Sequence, residues 1–299
     1  MKFQDMLEQK TILVSDGAWG TEMAKHGLNP GDCPELLNAD KPEVICAIAR
    51  SYVQAGSDII LTNTFGGSPQ KLARYGLENR TEELNEKGAR LSVEMTQGKA
   101  LVFASIGSTG EFLEPLGTIK AVDLIKSFGR QVRAFVAAGA DGVLIETMTD
   151  LGETICALKA VKENSELPAV CSMTFDKGVQ GYATMMGVKP DQAIDILEES
   201  RADAVGANCG SGIEDIIEVA RIMRSESCLP LWMKPNAGLP ELVKNQTVYR
   251  QSPEQMASYI PELLDAGATI VGGCCGSTPE HILKIRQAVD KYLKESLGK

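Results

Sequence analysis

The feature that most constrains this chain is an eightfold alternation of short apolar runs with longer segments of helical periodicity. Strands are predicted at Thr11–Asp16, Asp58–Asn63, Ala100–Ile106, Gly142–Glu146, Ala169–Thr174, Ala204–Asn208, Pro230–Lys234 and Thr269–Gly273. The runs are apolar throughout rather than alternating, as a parallel sheet covered on both faces requires. Helices are predicted at Pro42–Ala55, Pro69–Gln97 with a break near Gly76, Val122–Ala138 and Leu151–Asn164, then at Pro190–Ser200, Ile213–Ser225, Pro253–Ala266 and Pro279–Leu297. Several open on proline, whose missing N–H costs nothing in a first helical turn. Eight such units in 299 residues match a single-domain (β/α)₈ TIM barrel, which takes about 250 residues. A doubly wound open sheet is the alternative, but no Gly-x-Gly-x-x-Gly follows the first strand.

Composition narrows the function. With 40 acidic against 30 basic residues the net charge is -10, which works against binding nucleic acid. No apolar run approaches the roughly 20 residues that span a bilayer, so no membrane association is expected. The segment MKFQDMLEQK has no signal-peptide pattern, so a cytoplasmic location is expected. In such a reducing compartment the eight cysteines are expected to be free, catalytic or metal-bound. There are only two histidines, His26 and His281, so polar chemistry must rely on other groups.

A barrel assembles its active site at the carboxyl ends of its strands. Those ends carry Asp16-Gly17-Ala18-Trp19, Thr62-Asn63-Thr64-Phe65, Ser105-Ile106-Gly107, Glu146-Thr147, Asn208-Cys209-Gly210, Lys234-Pro235-Asn236 and Gly273-Cys274-Cys275-Gly276. Cys209, Cys274 and Cys275 thus meet on one rim. Three thiolates with an open fourth position are the donor set of a catalytic zinc. The alternatives are ordinary buried cysteines or a strained vicinal disulfide between Cys274 and Cys275; the flanking glycines and the third cysteine at a matching strand end favour the metal. Cys33, Cys46, Cys156, Cys171 and Cys228 are expected to be packing residues. A zinc held by three thiolates generates hydroxide poorly but keeps a substrate thiol deprotonated, which favours sulfur alkylation and needs no histidine base.

The segments Asp16-Gly17-Ala18-Trp19-Gly20-Thr21-Glu22, Thr62-Asn63-Thr64-Phe65-Gly66, Gly206-Ala207-Asn208-Cys209 and Gly272-Gly273-Cys274-Cys275-Gly276-Ser277-Thr278-Pro279 resemble the homocysteine S-methyltransferase family over essentially the full chain. The chain is most similar to the homocysteine-binding module of cobalamin-dependent methionine synthases. The resemblance implies Zn2+ on Cys209, Cys274 and Cys275, and a homocysteine thiolate methylated to methionine. It implies that Asp16 and Glu146 hold the substrate ammonium, and that amides around Gly17 and the Thr64 loop receive its carboxylate. Asn236 is either a displaceable oxygen ligand or the pivot of an Asx turn. Trp19 is either a wall of the pocket mouth or plain packing, and His281 is read as packing or capping rather than as a ligand.

Two departures bear on the substrate. Ser105 stands where methionine synthases usually carry aspartate, which weakens ammonium recognition by about 1.5–3 kcal/mol if that carboxylate takes part. Met185 and Met186, after the fifth strand, suggest a more apolar pocket. The corrinoid motif Asp-x-His-x-x-Gly is absent from this sequence, since Ala24 and Pro279 precede the two histidines. The corrinoid (cobalamin) methyl donor is therefore expected on a partner protein. Three functions compete: methylation of homocysteine; the reverse transfer, in which a small methyl ether, amine or thioether is demethylated onto a corrinoid protein; and thiol or zinc binding without catalysis.

Overall fold

The eight apolar runs form eight parallel strands that pair in chain order around a barrel. The computed structural model describes residues 2–210, 212–243 and 246–297. The strands are β1 (Leu13–Val14), β2 (Ile59–Leu61), β3 (Leu101–Ile106), β4 (Gly142–Met148), β5 (Ala169–Met173), β6 (Ala204–Cys209), β7 (Leu231–Pro235) and β8 (Ile270–Val271). A parallel bridge from Ser15 to Ile59 brings β1 against β2 and closes the ring. Helices at Pro42–Gln54, Thr81–Thr96, Ala121–Ala138, Leu151–Asn164, Pro190–Glu199, Ile213–Glu226 and Pro279–Leu297 form the outer layer.

Four features depart from the sequence expectation. The segment expected as one helix over Pro253–Ala266 is two, Pro253–Ser258 and Ile260–Asp265, divided at Tyr259 where Pro261 begins a new first turn. The long Pro69–Gln97 segment breaks as expected near Gly76, but further, into Pro69–Ala73, a 3-10 turn at Glu78–Arg80 and Thr81–Thr96. Two hairpins, Asp176–Gly178 with Gly181–Ala183 and Glu241–Val243 with Gln246–Val248, decorate the loops after β5 and β7. An additional helix at Phe3–Lys10 precedes the barrel.

That first helix shapes the interior. Its Phe3 and Met6 join a buried cluster of inward-facing strand residues that includes Leu13, Leu61, Phe103, Leu144, Val170 and Trp232. Phe3 meets Phe103 edge-on with ring centroids 5.0 Å apart, and Phe103 meets Trp232 in the same way at 5.3 Å. Such pairs contribute about 0.5–1.5 kcal/mol beyond the area they bury. The amino-terminal mouth of the barrel is therefore filled with hydrocarbon. Because side chains alternate along a strand, the residue two places beyond each interior apolar residue also points inward, nearer the carboxyl end. Phe103 gives way to Ser105, Leu144 to Glu146, Val170 to Ser172 and Trp232 to Lys234, so the lumen turns polar toward the other rim.

Candidate active site

A cavity of about 430 Å³ occupies that polar end, lined by Gly17, Trp19, Thr62, Ser105, Glu146, Thr147, Cys209, Lys234, Cys274 and Cys275 among others. Each strand contributes through a local device. On β4 the pairing with β5 shifts register between Ile145 and Met148, a bulge that contains Glu146 and Thr147. Thr147 sits at φ 59 and Cys209, ending β6, at φ 65, both in the left-handed region. A non-glycine residue there stores on the order of 1–3 kcal/mol, a cost met when surrounding contacts over-determine the position. Asn208 supplies such contacts. Its Oδ1 accepts from the Thr147 N–H (2.9 Å) and the Ser172 hydroxyl (2.6 Å), and its Nδ2 donates to Thr147 Oγ1 (2.7 Å). The same Nδ2 lies 3.7 Å from Cys274 Sγ.

The cysteine pair after β8 is held by backbone. Cys274 N donates to Pro235 O (2.7 Å), the Cys275 carbonyl accepts from Ala237 N (2.9 Å), and Ser277 Oγ donates to Cys274 O (2.7 Å). Gly273 permits this: a Cβ there would lie 2.3 Å from Ser277 Oγ. Gly276 turns the chain away at φ 80.

The three sulfurs of Cys209, Cys274 and Cys275 lie within 4.8 Å of one another, with Cys209 and Cys275 3.7 Å apart. A tetrahedral zinc with bonds near 2.3 Å spaces its sulfurs about 3.8 Å apart, so the cluster fits this ion. Cys274 and Cys275 are both free thiols, not the vicinal disulfide. Hydrogen bonding to the other two thiols, with burial, drives Cys209 up, while hydrogen bonds from those neighbours pull Cys275 down. Without a cation the crowded set thus ionises unevenly; a divalent ion is what allows all three to be thiolates. Asn236 adds a second sign. Its Nδ2 donates to Gly210 O (2.7 Å), whereas its Oδ1 is buried with no hydrogen-bond partner. An orphaned carbonyl oxygen is costly unless something accepts its lone pairs, and a metal would do so.

The charged floor holds Asp16, Lys234 and Glu146. Lys234 Nζ stands 3.0 Å from Asp16 Oδ1 and 3.9 Å from Glu146 Oε2. Asp16 Oδ2 accepts from Trp19 Nε1 and from Leu61 N, each at 2.7 Å. Ser105 Oγ donates to Glu146 Oε1 at 2.6 Å. Burial pushes the Glu146 carboxyl up to about 7 against the opposing pull of Lys234. Burial also favours a neutral Lys234, but Asp16 and Glu146 outweigh it and hold its ammonium above the ordinary lysine value.

The structure therefore gathers Gly17, Ser105, Glu146, Cys209, Cys274 and Cys275 around one cavity. Asp16 lies just behind its wall, fully buried. Thr64 is outside it: its hydroxyl donates to Ser105 O (2.8 Å) and pairs with Thr62 Oγ1 (2.6 Å), so it braces two strands instead of facing a ligand. Met185 and Met186 do not make the pocket apolar, because neither lines the cavity; they sit in the turn after the hairpin of Asp176–Gly178 with Gly181–Ala183, where Met185 is 75% exposed. Cys228 is exposed rather than packed, whereas Cys33, Cys156 and Cys171 are buried. His281 caps: Nδ1 accepts from Thr278 N (3.1 Å) and Nε2 bonds Gln251 O (2.9 Å). Trp19 is both wall and donor.

Lys234 was missed as a functional residue. Its signal is a charge two residues after Trp232 on an otherwise apolar strand, an inward position by alternation. Tyr249, which packs against Gly276 just beyond the cysteine pair (a Cβ there would lie 2.3 Å from Tyr249 Cβ), was also missed; it follows the Gln246–Val248 strand and belongs to no motif.

A family model described as homocysteine S-methyltransferase matches residues 13–289. The methionine synthase of Mycobacterium tuberculosis (strain ATCC 25618 / H37Rv) is 30% identical over 304 residues, covering 95% of this chain and 25% of that protein. That of Mycobacterium leprae (strain TN) is 30% identical over 306 residues with the same coverage. This chain spans about a quarter of the length of these relatives. Among solved structures, the metallated form of the homocysteine methyltransferase MmuM from Escherichia coli aligns with a TM-score of 0.79 at 23% identity, over 95% of this chain and 98% of that one, and so shares the fold. With a family match that runs from β1 into the last helix, the chain belongs to the homocysteine S-methyltransferase family.

Proposed function

We propose that this protein is a zinc-dependent methyltransferase that takes up a thiol of the homocysteine type as methyl acceptor, the methyl group coming from a methyl-corrinoid carried by a separate protein. The observation that carries this reading is the three-sulfur cluster in the wall of a cavity large enough for a small substrate. Zinc on Cys209, Cys274 and Cys275, with Asn236 Oδ1 as a weak fourth ligand, would keep a thiol with a pKa near 8.5 deprotonated at neutral pH. The chain's own residues do the rest. Asn208 and the Pro235 carbonyl fix Cys274, Trp19 narrows the cavity, and Glu146 with Lys234 sets the charge next to the sulfurs. Homocysteine is the substrate named for the relatives and the first acceptor to test.

A second reading runs the transfer backward, from a small methyl ether, amine or thioether to the corrinoid. The neutral hydroxyl of Ser105 at the cavity floor and the internal cation Lys234 favour it, because both leave less negative charge for an amino acid's ammonium. The test mixes zinc-loaded protein with methylcobalamin and a thiol, following cob(I)alamin absorbance and the S-methyl product. Product supports the first reading. No product from any thiol, together with methylation of cob(I)alamin by a methyl ether or amine, replaces it with the second. Neither transfer would leave only thiol or zinc binding.

A further inference from the structure

Among the described residues that line the cavity of the three thiols, one side chain is basic. The titratable groups there are Glu35, Glu146, Cys209, Cys274, Cys275 and Lys234, and Lys234 alone can be positive. The strand register brings it to the sulfurs. Lys234 pairs with Asn208 on β6, and the next residue, Pro235, is opposite Cys209 and accepts from Cys274 N at 2.7 Å. Its side chain points into the lumen by alternation with Trp232. The ammonium is anchored: Nζ stands 3.0 Å from Asp16 Oδ1, and Asp16 is itself fixed by Trp19 Nε1 and Leu61 N at 2.7 Å each. Glu146 Oε2, 3.9 Å from Nζ, has no hydrogen-bond partner among the described residues and stays open to a ligand's ammonium.

A divalent ion on three thiolates keeps one net negative charge, and a fourth thiolate doubles it. Asp16, and Glu146 when ionised, add to that excess, and both are buried. Charges of one sign crowded out of water repel strongly, and a fixed opposite charge nearby offsets the cost. Lys234 is the group placed to do so. With its side chain 3% exposed and tied to Asp16, its charge cannot move out to solvent and stays next to the cluster.

We propose that Lys234 is the fixed counter-charge of the metal site: its ammonium, anchored by Asp16, offsets the charge that an incoming thiolate adds to the cluster and so favours uptake of the acceptor as an anion. The inference rests on thiol uptake at the metal as proposed above. Lys234 is on this view a positioning residue that acts through its field on the metal-bound sulfur.

The test replaces zinc with cobalt(II) in the full chain and follows the cobalt visible spectrum during titration with 2-mercaptoethanol or with imidazole at neutral pH. The first binds as an anion and carries neither ammonium nor carboxylate; the second binds as a neutral ligand. Lys234→Met is expected to weaken the thiol by about tenfold or more and to change imidazole by less than about twofold. Lys234→Gln is read in the same way if the methionine variant does not fold. Thiol affinity left unchanged, or thiol and imidazole weakened alike, overturns the proposal, because a merely structural role would move both ligands together. A wild-type spectrum that responds to imidazole but not to the thiol overturns thiol uptake and the inference with it, an outcome distinct from thiol binding that ignores Lys234.

Discussion

The two halves of the barrel lumen are made by the same strands and do opposite things. The amino-terminal half is sealed by Phe3, Phe103 and Trp232 in edge-on contact, with every ring buried. The carboxyl-terminal half, two residues further along the same strands, holds Ser105, Glu146 and Lys234, and beyond them the three thiols. One half gains stability from burial; the other holds left-handed residues, a buried ion pair and crowded sulfurs, all of which cost stability unless satisfied. The difference shows how a single strand can carry structure at one end and chemistry at the other: the apolar layers hold the backbone rigid enough to keep costly groups in place.

Four substitutions set this contrast at risk. Cys274→Ser is expected to weaken zinc binding by on the order of 10³-fold or more, with the urea midpoint of the metal-free protein almost unchanged; chelator competition beside urea melts measures both, and a large drop in the midpoint would make the cluster structural. Phe103→Ala should have the converse profile, a loss of about 3–5 kcal/mol in urea unfolding with full zinc stoichiometry in the folded protein. Zinc lost along with stability would show that the two halves are not separable.

Glu146→Gln addresses pH. The Glu146 carboxyl rises from 4.5 to about 7 on folding, so between those values the folded state keeps a proton that the unfolded state has released. Its contribution is complete below 4.5 and is lost as pH rises through about 7, a swing on the order of 3 kcal/mol. In the metal-free Gln variant that decline should flatten, and a decline identical to wild type would assign it elsewhere. Asn208→Ala is the smallest change, about 1–3 kcal/mol, because it strips the contacts that hold Thr147 at positive φ. A slower cobalt spectral response to thiol in that variant would tie the strained turn to the metal site.

Much of this was legible in the residues. The eight strands were, because each apolar run is bounded by Gly, Asp or Asn, and so was the meeting of three cysteines, because strand ends share a rim. The Phe3–Lys10 helix was not: it is short, and the barrel mouth that stabilises it lies far away in sequence. The bracing of two strands by the Thr64 hydroxyl and the exposure of Met185 were not legible, because they depend on a buried hydroxyl pair and on the turn that follows a hairpin, which no periodicity reports. The role of Lys234 depends on a pairing across 218 positions of chain, and a charge on an apolar strand acquires meaning only from what faces it.

The first helix also imposes an order of events. With Phe3 and Met6 stopping one end of the tube, the cavity opens at the carboxyl-terminal rim. Whatever delivers or removes the methyl group must stand in that opening. For the protein-borne donor proposed above, the small molecule would have to be seated first and leave last, so that the donor would act as a stopper as well as a reagent and its departure would time the next turnover.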